Sequence, residues 1–497
     1  MSNRPLKIAV IASEAVPFAK TGGLADVTGA MARELALAGH EVILLLPAHQ
    51  GIDRLGYGLK PARHACVPKR TMACRHGGRP FVIKLGTDEH PVAVLDSFFV
   101  PGLRSCFIDH PLFSDRPGLY GDARGDYPDN GLRYGLFSKA ALELLTIEGF
   151  APDIVHCHDW QTGLAPVYLK QDEHFAQTRS VFTVHNLAYQ GIFGKEILAA
   201  LGLPNALFHL DGLEYYGQIN FLKGGLFFAD RITTVSPSYA KQILTPGYGC
   251  GLDGALRARE DRLSGILNGV DYAEWDPSRD QYLARFDRSR LHLKEGAKRI
   301  LCQRLGLEYR NRRALVGIVS RLAMQKGWDI ISEALPRLLQ MELDLAILGA
   351  GDQAYHDLLH DLQKRHPRRI GLKLGFDNEL AHLIYGGADL FLMPSQYEPC
   401  GLGQMIALRY GAIPVVHATG GLADTIVDHR QLPDSSNGFS FSEYSADSLV
   451  KAIRDALSAY RVIPAWQALM KRAMACDFSW TTSIAKYLDL YRSLLER

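Results

Sequence analysis

No run in this chain approaches the roughly 20 consecutive apolar residues that a membrane-crossing helix needs, and the first residues, Met1 to Lys7, carry no secretory apolar segment. Cysteine is sparse and scattered: Cys66, Cys74, Cys106, Cys157, Cys250, Cys302, Cys400 and Cys476 include no CxxC pair. A disulfide framework or a zinc knuckle would need them clustered. The expectation is therefore reduced thiols in a cytoplasmic protein that needs no metal or membrane. Charge of one sign is lacking too. With 55 basic against 53 acidic residues the net charge is +2, so no overall polycation exists to attract nucleic acid. A GxGxxG motif after the first apolar run is also missing, and without it a nicotinamide-dependent oxidoreductase is a poor fit.

What is present is a globular composition, 47% hydrophobic and 22% charged, in a chain of 497 residues. That length is too great for one core and suits two domains. Short β-branched runs recur, each followed by a polar, glycine-containing turn and a helical pattern: Ile8–Ile11, Glu41–Leu46, Asp153–Cys157, Ser180–Val184 and Ile232–Val235, then Leu315–Val319, Leu343–Leu348, Leu372–Leu374, Leu390–Met393 and Ile413–Val416. Strands so continuously apolar are buried on both faces, which points to an α/β fold with two doubly wound parallel sheets. The expected division is 1–263, 264–478 and a closing helix over 479–497, the boundary falling near the turn Asn268-Gly269-Val270-Asp271. Residues 100–131, rich in Pro, Gly and Asp, are expected to be a long connection, either functional or disordered. The final helix is expected from near Ser479, with Ile484, Tyr487, Leu488, Tyr491 and Leu494 on one face.

Ligands of open parallel sheets bind beyond the carboxyl ends of the strands, so the residues after each run form the candidate site. Lys20-Thr21-Gly22-Gly23 ahead of a helix suits an anion, because glycine admits close backbone approach and Lys20 adds charge. Arg321 leaves a strand end and Lys326 opens the next helix, a cation pair matched to a diphosphate. Glu398, before Pro399-Cys400-Gly401-Leu402, either caps a helix or accepts sugar hydroxyls. His156 and His158 share one strand face, yet no further ligand at metal spacing stands out. Thr21–Asp26 recurs as Thr419–Asp424, and one reading makes both glycine pairs the same device for exposing amides at a helix start.

Lys20–Val27, His156–Trp160, Val184–Gly191, Asn268–Asp271, Ser320–Gly327, Glu398–Leu402 and Thr419–Asp424 together resemble the bacterial and plant glycogen (starch) synthase family, in order and over essentially the whole chain. The resemblance implies a retaining glucosyltransferase with two Rossmann-like domains facing a cleft (GT-B), a C-terminal helix returning to the first domain, ADP-glucose as co-substrate and an α-glucan as acceptor. It gives Arg321 and Lys326 the donor diphosphate, with Lys20, Gly22 and Gly23 closing on it and Cys400, Gly401 and Leu402 nearby. Glu398 takes glucose hydroxyls and His185 lies near the anomeric carbon. Phe376 stands against adenine, and Asp159, Asn186, Trp160, Tyr189 and Asn268 are sugar or acceptor contacts. Gly403 departs from the family, which often has Thr there. The rivals are a UDP-glucose-dependent or a sucrose- or trehalose-forming transferase of the same fold, and a non-catalytic glucan-binding protein. An oligomer is left open.

Overall fold

The computed structural model describes residues 4–62 and 80–496; Cys66 and Cys74 lie outside the described residues. Two compact units emerge. The first comprises 1–235, 240–266 and 480–497, the second 236–239 and 267–479.

The first unit is built on a ten-stranded sheet. Its parallel part runs, in spatial order, Leu263–Gly265, Arg231–Thr234, Arg179–Val184, Ile154–His158, Lys7–Ile11, Glu41–Pro47 and Arg104–Asp109. Asp88–Ser97 then adds antiparallel, with Lys60–Pro61 and Phe81–Leu85 also paired to it. Chain order reverses between Lys7–Ile11 and Ile154–His158. In the central strand Ile8, Ala9, Val10 and Ile11 are all fully buried, because helices cover both faces. The closing helix, Trp480–Leu495, belongs to this unit. Trp480, Ile484, Tyr487, Tyr491 and Leu494 join the core around Val10, Met31 and Leu44.

Residues 100–131 are not the plain connection expected. They contain the buried strand Arg104–Asp109, the short helix Pro111–Ser114 and a small antiparallel hairpin, Gly121–Asp122 with Gly125–Asp126. The strand is hidden in sequence because Arg104, Ser105 and Asp109 break its apolar run. Arg104 is neutralised by Asp96 at 2.9 Å and Glu148 at 2.8 Å. The antiparallel strands Phe81–Leu85 and Asp88–Ser97 escape for a related reason. The first alternates buried and exposed residues, as an antiparallel edge permits.

The second unit holds a six-stranded, wholly parallel sheet in the order Ile370–Leu374, Leu343–Gly351, Ala314–Leu322, Leu390–Met393, Ile413–His417, Phe439–Phe441. Numbered along the unit this is 3-2-1-4-5-6, the doubly wound order, whose switch point lies between strands 1 and 4. Gly317 sits on strand 1 where a Cβ would come within 2.9 Å of Ala388, so the helix that ends at that residue packs tightly on the sheet. Ahead of strand 1 lies the helix Lys294–Leu305.

Candidate active site

At the switch point of the second unit, strand 1 ends on Ser320-Arg321-Leu322 and a single 3-10 turn, Met324–Lys326, leads into the helix Trp328–Leu338. Gly327, with φ 81°, makes that connection; a side chain there would collide with the carbonyl oxygen of Pro394 at 2.2 Å. Strand 4 ends at Met393, and the chain then passes through Ser395 and Glu398 to the helix Gly403–Arg409. The two segments meet directly. Lys326 Nζ donates to Glu398 Oε2 at 2.5 Å, and Ser395 Oγ donates to the same oxygen at 3.0 Å. Glu398 is only 7% exposed. Arg321 lies in the open, with one Nη donating to Gln325 at 2.8 Å, while Gln325 accepts the Gln396 amide at 2.9 Å through its own carbonyl.

Thr419-Gly420-Gly421 is not a second amide nest. Gly421 N–H donates to the Glu398 and Pro399 carbonyls at 3.1 and 3.2 Å. A Cβ at Gly420 or Gly421 would stand 2.1 Å from the Glu398 or Cys400 oxygen, so these glycines admit backbone to backbone and hold Glu398 in place. Cys400 is buried beside Asn268, and burial pushes its thiol up to about 12; it is a protonated packing group and no nucleophile at neutral pH. Asn268 is itself 5% exposed. Phe376, by contrast, is 94% exposed after strand 3. At Gly403 a Cβ would press on Met393 Sδ at 3.1 Å and Tyr385 Oη at 3.3 Å, so the space a threonine would take is filled.

At the switch point of the first unit the same motif does the opposite. Gly22 and Gly23 face open space, with nothing within 4 Å of a notional Cβ, at the start of the helix Gly23–Leu37. Lys20 pairs with Asp26 at 2.7 Å and stays half exposed. The anchor is Glu14, 3% exposed, which sequence reasoning missed. Its carboxylate accepts from the Thr21 amide, from Thr21 Oγ1 at 2.9 Å and from Tyr120 Oη at 2.9 Å. Burial raises its pKa, against the pull of those bonds. Nothing in the local pattern around Ser13-Glu14 marks it, since Tyr120 arrives from about a hundred residues away.

On the adjacent strand Ile154–His158 and the turn after its neighbour, three imidazoles line up. His156 Nδ1 meets Tyr491 Oη at 2.7 Å and Nε2 meets Thr183 Oγ1 at 2.6 Å; both nitrogens are taken by structural partners. His156 and His158 stack at 4.2 Å, and His158 Nδ1 lies 3.0 Å from His185 Nε2. Burial pushes His156 and His185 down to about 3, and His158 well below its usual value, so the row is neutral. Asp159 adopts φ 57° and accepts the His185 amide at 2.7 Å; desolvation raises it to about 7. Asn186 Oδ1 accepts the Ala188 amide at 3.1 Å, shaping the turn that leaves Tyr189 56% exposed. Trp160 is not open to a ligand in the same way: it is 8% exposed and packs on Tyr134 at 5.1 Å and Phe193 at 5.9 Å.

A family model described as the starch synthase catalytic domain matches residues 7–258, and one for group 1 glycosyl transferases matches 306–467. A glycogen synthase of Geotalea daltonii is 46% identical over 497 residues, covering 99% of both chains. The chain belongs to the glycogen/starch synthase family of glucosyltransferases. A glycogen synthase of Anaeromyxobacter dehalogenans is 45% identical, over 98% of this chain and all of its own. Among solved structures, the catalytic domain of starch synthase IV from Arabidopsis thaliana, bound to ADP and acarbose, superposes with a TM-score of 0.88 at 33% identity, covering 99% of this chain and 100% of that one. A sucrose-phosphate synthase from Thermosynechococcus elongatus, TM-score 0.61 at 17% identity, shares the fold alone. Among the described residues no helix is long and apolar enough to cross a membrane.

Proposed function

We propose that this glycogen/starch synthase family member transfers glucose from ADP-glucose to the non-reducing end of an α-1,4-glucan, with retention of configuration. The observation that supports the reading is the pairing of Lys326 with Glu398 across two neighbouring strand ends, with Arg321 exposed at the end of one of them and bonded to Gln325. Glucosyl transfer separates charge: the ring becomes oxocarbenium-like while the departing diphosphate gains negative charge. Fixed cations at the diphosphate stabilise that state more than the bound donor and so lower the barrier. The two cations suit this task differently. Arg321 offers a planar fork of N–H donors, and Lys326 has three donors, so it can keep Glu398 while reaching a phosphate oxygen. Glu398, held by Lys326 and Ser395, accepts sugar hydroxyls with its remaining capacity.

Cys400, Gly401 and Leu402 contribute backbone to the phosphate side, Asn268 supports them through Cys400, and the exposed Phe376 offers its ring to the base. In the first unit Lys20 with the open Gly22 and Gly23 forms an anion site, and neutral His185 serves as an uncharged hydrogen-bonding group toward the sugar. Asp159 acts by positioning the His185 and Asn186 amides, while Tyr189 and Asn186 contact the acceptor and Trp160 supports them from the interior. Cytoplasmic placement and the ADP preference complete the reading. The test is incubation with labelled ADP-glucose or UDP-glucose and glycogen, followed by an α-1,4-specific digest. Label released as maltose or glucose from the ADP-glucose reaction is the expected result. Incorporation from UDP-glucose alone would move the donor assignment, and none from either would sink the reading.

A further inference from the structure

The hairpin in which Glu214 pairs with Ile219 and Tyr215 with Gln218 closes through two residues, Tyr216 and Gly217. Both have positive φ, 48° and 79°, as a type I′ turn requires. Asn-Gly and Asp-Gly are the low-strain sequences for that turn, and a bulky side chain in the left-handed region is an outlier with a conformational cost. Packing does not compensate for it, because Tyr216 is 81% exposed. Its ring meets Tyr215 edge to face, centroids 4.8 Å apart. A residue strained in the backbone and unburied in the side chain calls for a role outside the fold.

The tip is also held firmly. Gly217 N–H donates to Glu214 Oε1 at 2.8 Å. Tyr215 Oη donates to the Cys250 carbonyl at 3.0 Å, and Gln190 Nε2 donates to that same carbonyl at 2.8 Å. Asn220 Nδ2 returns to Gln190 Oε1 at 2.7 Å, and the Leu222 amide to the Gln190 carbonyl at 3.0 Å. The hairpin is thereby tied to the residue next to Tyr189, itself 56% exposed, in the segment that also carries His185.

We infer that Tyr216, with Tyr215 and Tyr189, forms an aromatic platform that holds the α-glucan acceptor. The inference rests on the glucan-extending reading above. An α-glucan presents C–H faces flanked by hydroxyls, and tyrosine offers an apolar ring with a polar tip at small entropic cost; the pre-set turn removes more of that cost.

The substitution Tyr216→Asn restores the preferred turn sequence and removes the ring. It should raise the KM for glycogen about five- to tenfold, the order expected when one aromatic stacking surface is removed, with kcat at saturating glycogen and the KM for ADP-glucose within about twofold. Migration through a glycogen-containing native gel should be correspondingly less retarded, and this readout needs no catalysis. Tyr216→Phe should retain the wild-type KM and retardation. Thermal unfolding of Tyr216→Asn should be unchanged or shifted upward. An unchanged glycogen KM and retardation in Tyr216→Asn would overturn the platform, as would a fall in kcat alone or a lowered unfolding temperature, which would make Tyr216 a packing residue. Absence of transfer by the unsubstituted enzyme, with glycogen retardation still dependent on Tyr216, would leave the platform standing and remove the transfer reaction instead.

Discussion

Lys326 and Glu398 illustrate how a residue's neighbours set its task. The sequence places each after a strand run without showing that they meet, and a 2.5 Å bond joins them beside a strand end. Removing Arg321 or Lys326 by substitution with alanine should lower kcat by roughly 10²- to 10³-fold, the scale for losing one donor to transition-state charge. Steady-state kinetics with saturating ADP-glucose would check it, and near-normal turnover in both variants would exclude the assigned role. Glu14 acts one step removed, by fixing the Thr21 amide and hydroxyl. Glu14→Ala removes the acceptor that holds the Thr21 amide and hydroxyl and leaves Tyr120 with Ser13 alone, and the expected result is a rise in donor KM of about tenfold or more, the order of a lost hydrogen bond to a charged group. The same measurement on Lys20→Ala separates loop order from loop charge.

Among the elements, the helix Lys294–Leu305 has a function its sequence does not announce. Lys294 is 4% exposed, and its ammonium donates to Tyr385 O at 3.2 Å, Gly386 O at 2.7 Å and Tyr410 O at 3.0 Å. Those carbonyls close the helices Asn378–Gly387 and Gly403–Arg409, so one cation satisfies and neutralises two negative helix ends. The second of these helices begins just after Glu398-Pro399-Cys400, and Lys294 thus steadies the site from its far end. Burial lowers the lysine to about 7, with the Asp389 carboxylate pulling the other way. Lys294→Met leaves three buried carbonyls unpaired and should cost about 3 kcal/mol or more, measured by urea unfolding. The glycine pairs carry a related lesson: Gly22-Gly23 and Gly420-Gly421 are identical in sequence context, and only the presence of Glu398 and Cys400 backbone 2.1 Å from a Cβ makes one a packing device.

For the molecule as a whole, stability depends on a closing helix and on neutral histidines. Tyr491 from Trp480–Leu495 bonds His156 at 2.7 Å, and five large side chains of that helix lie in the first unit's core. Truncation after Ser479 should abolish soluble expression, and Tyr491→Phe should cost about 1–3 kcal/mol for the imidazole nitrogen left without a partner. His156 and His185 are held near 3 and His49 near 4, all below the ordinary 6.5, by burial. The unfolded chain therefore binds protons that the folded chain refuses. This stability is complete above pH 6.5 and is lost as pH falls toward 3, by roughly 1.4 kcal/mol per pH unit for each proton taken up. Asp159, raised to about 7, has the opposite sign: its contribution is present below about 3.8 and is lost as pH rises through 7. Unfolding free energies between pH 4 and 8 should show the histidine slope dominating below 6.5, and a flat profile there would refute the neutral row.

Runs such as Ile8–Ile11 and Leu343–Leu348 could be read directly, because a strand buried on both faces has no alternative to continuous apolar residues. The doubly wound class and the positions after strand ends followed from that, and the ordered motifs carried the family. Hydrophobic periodicity could not reveal Arg104–Asp109, whose charges are neutralised by residues brought from elsewhere, nor Glu14, Tyr120 and Lys294. A polar group's meaning depends on which partner lies within about 3 Å, and partners far apart in the chain are brought together only by the packed fold.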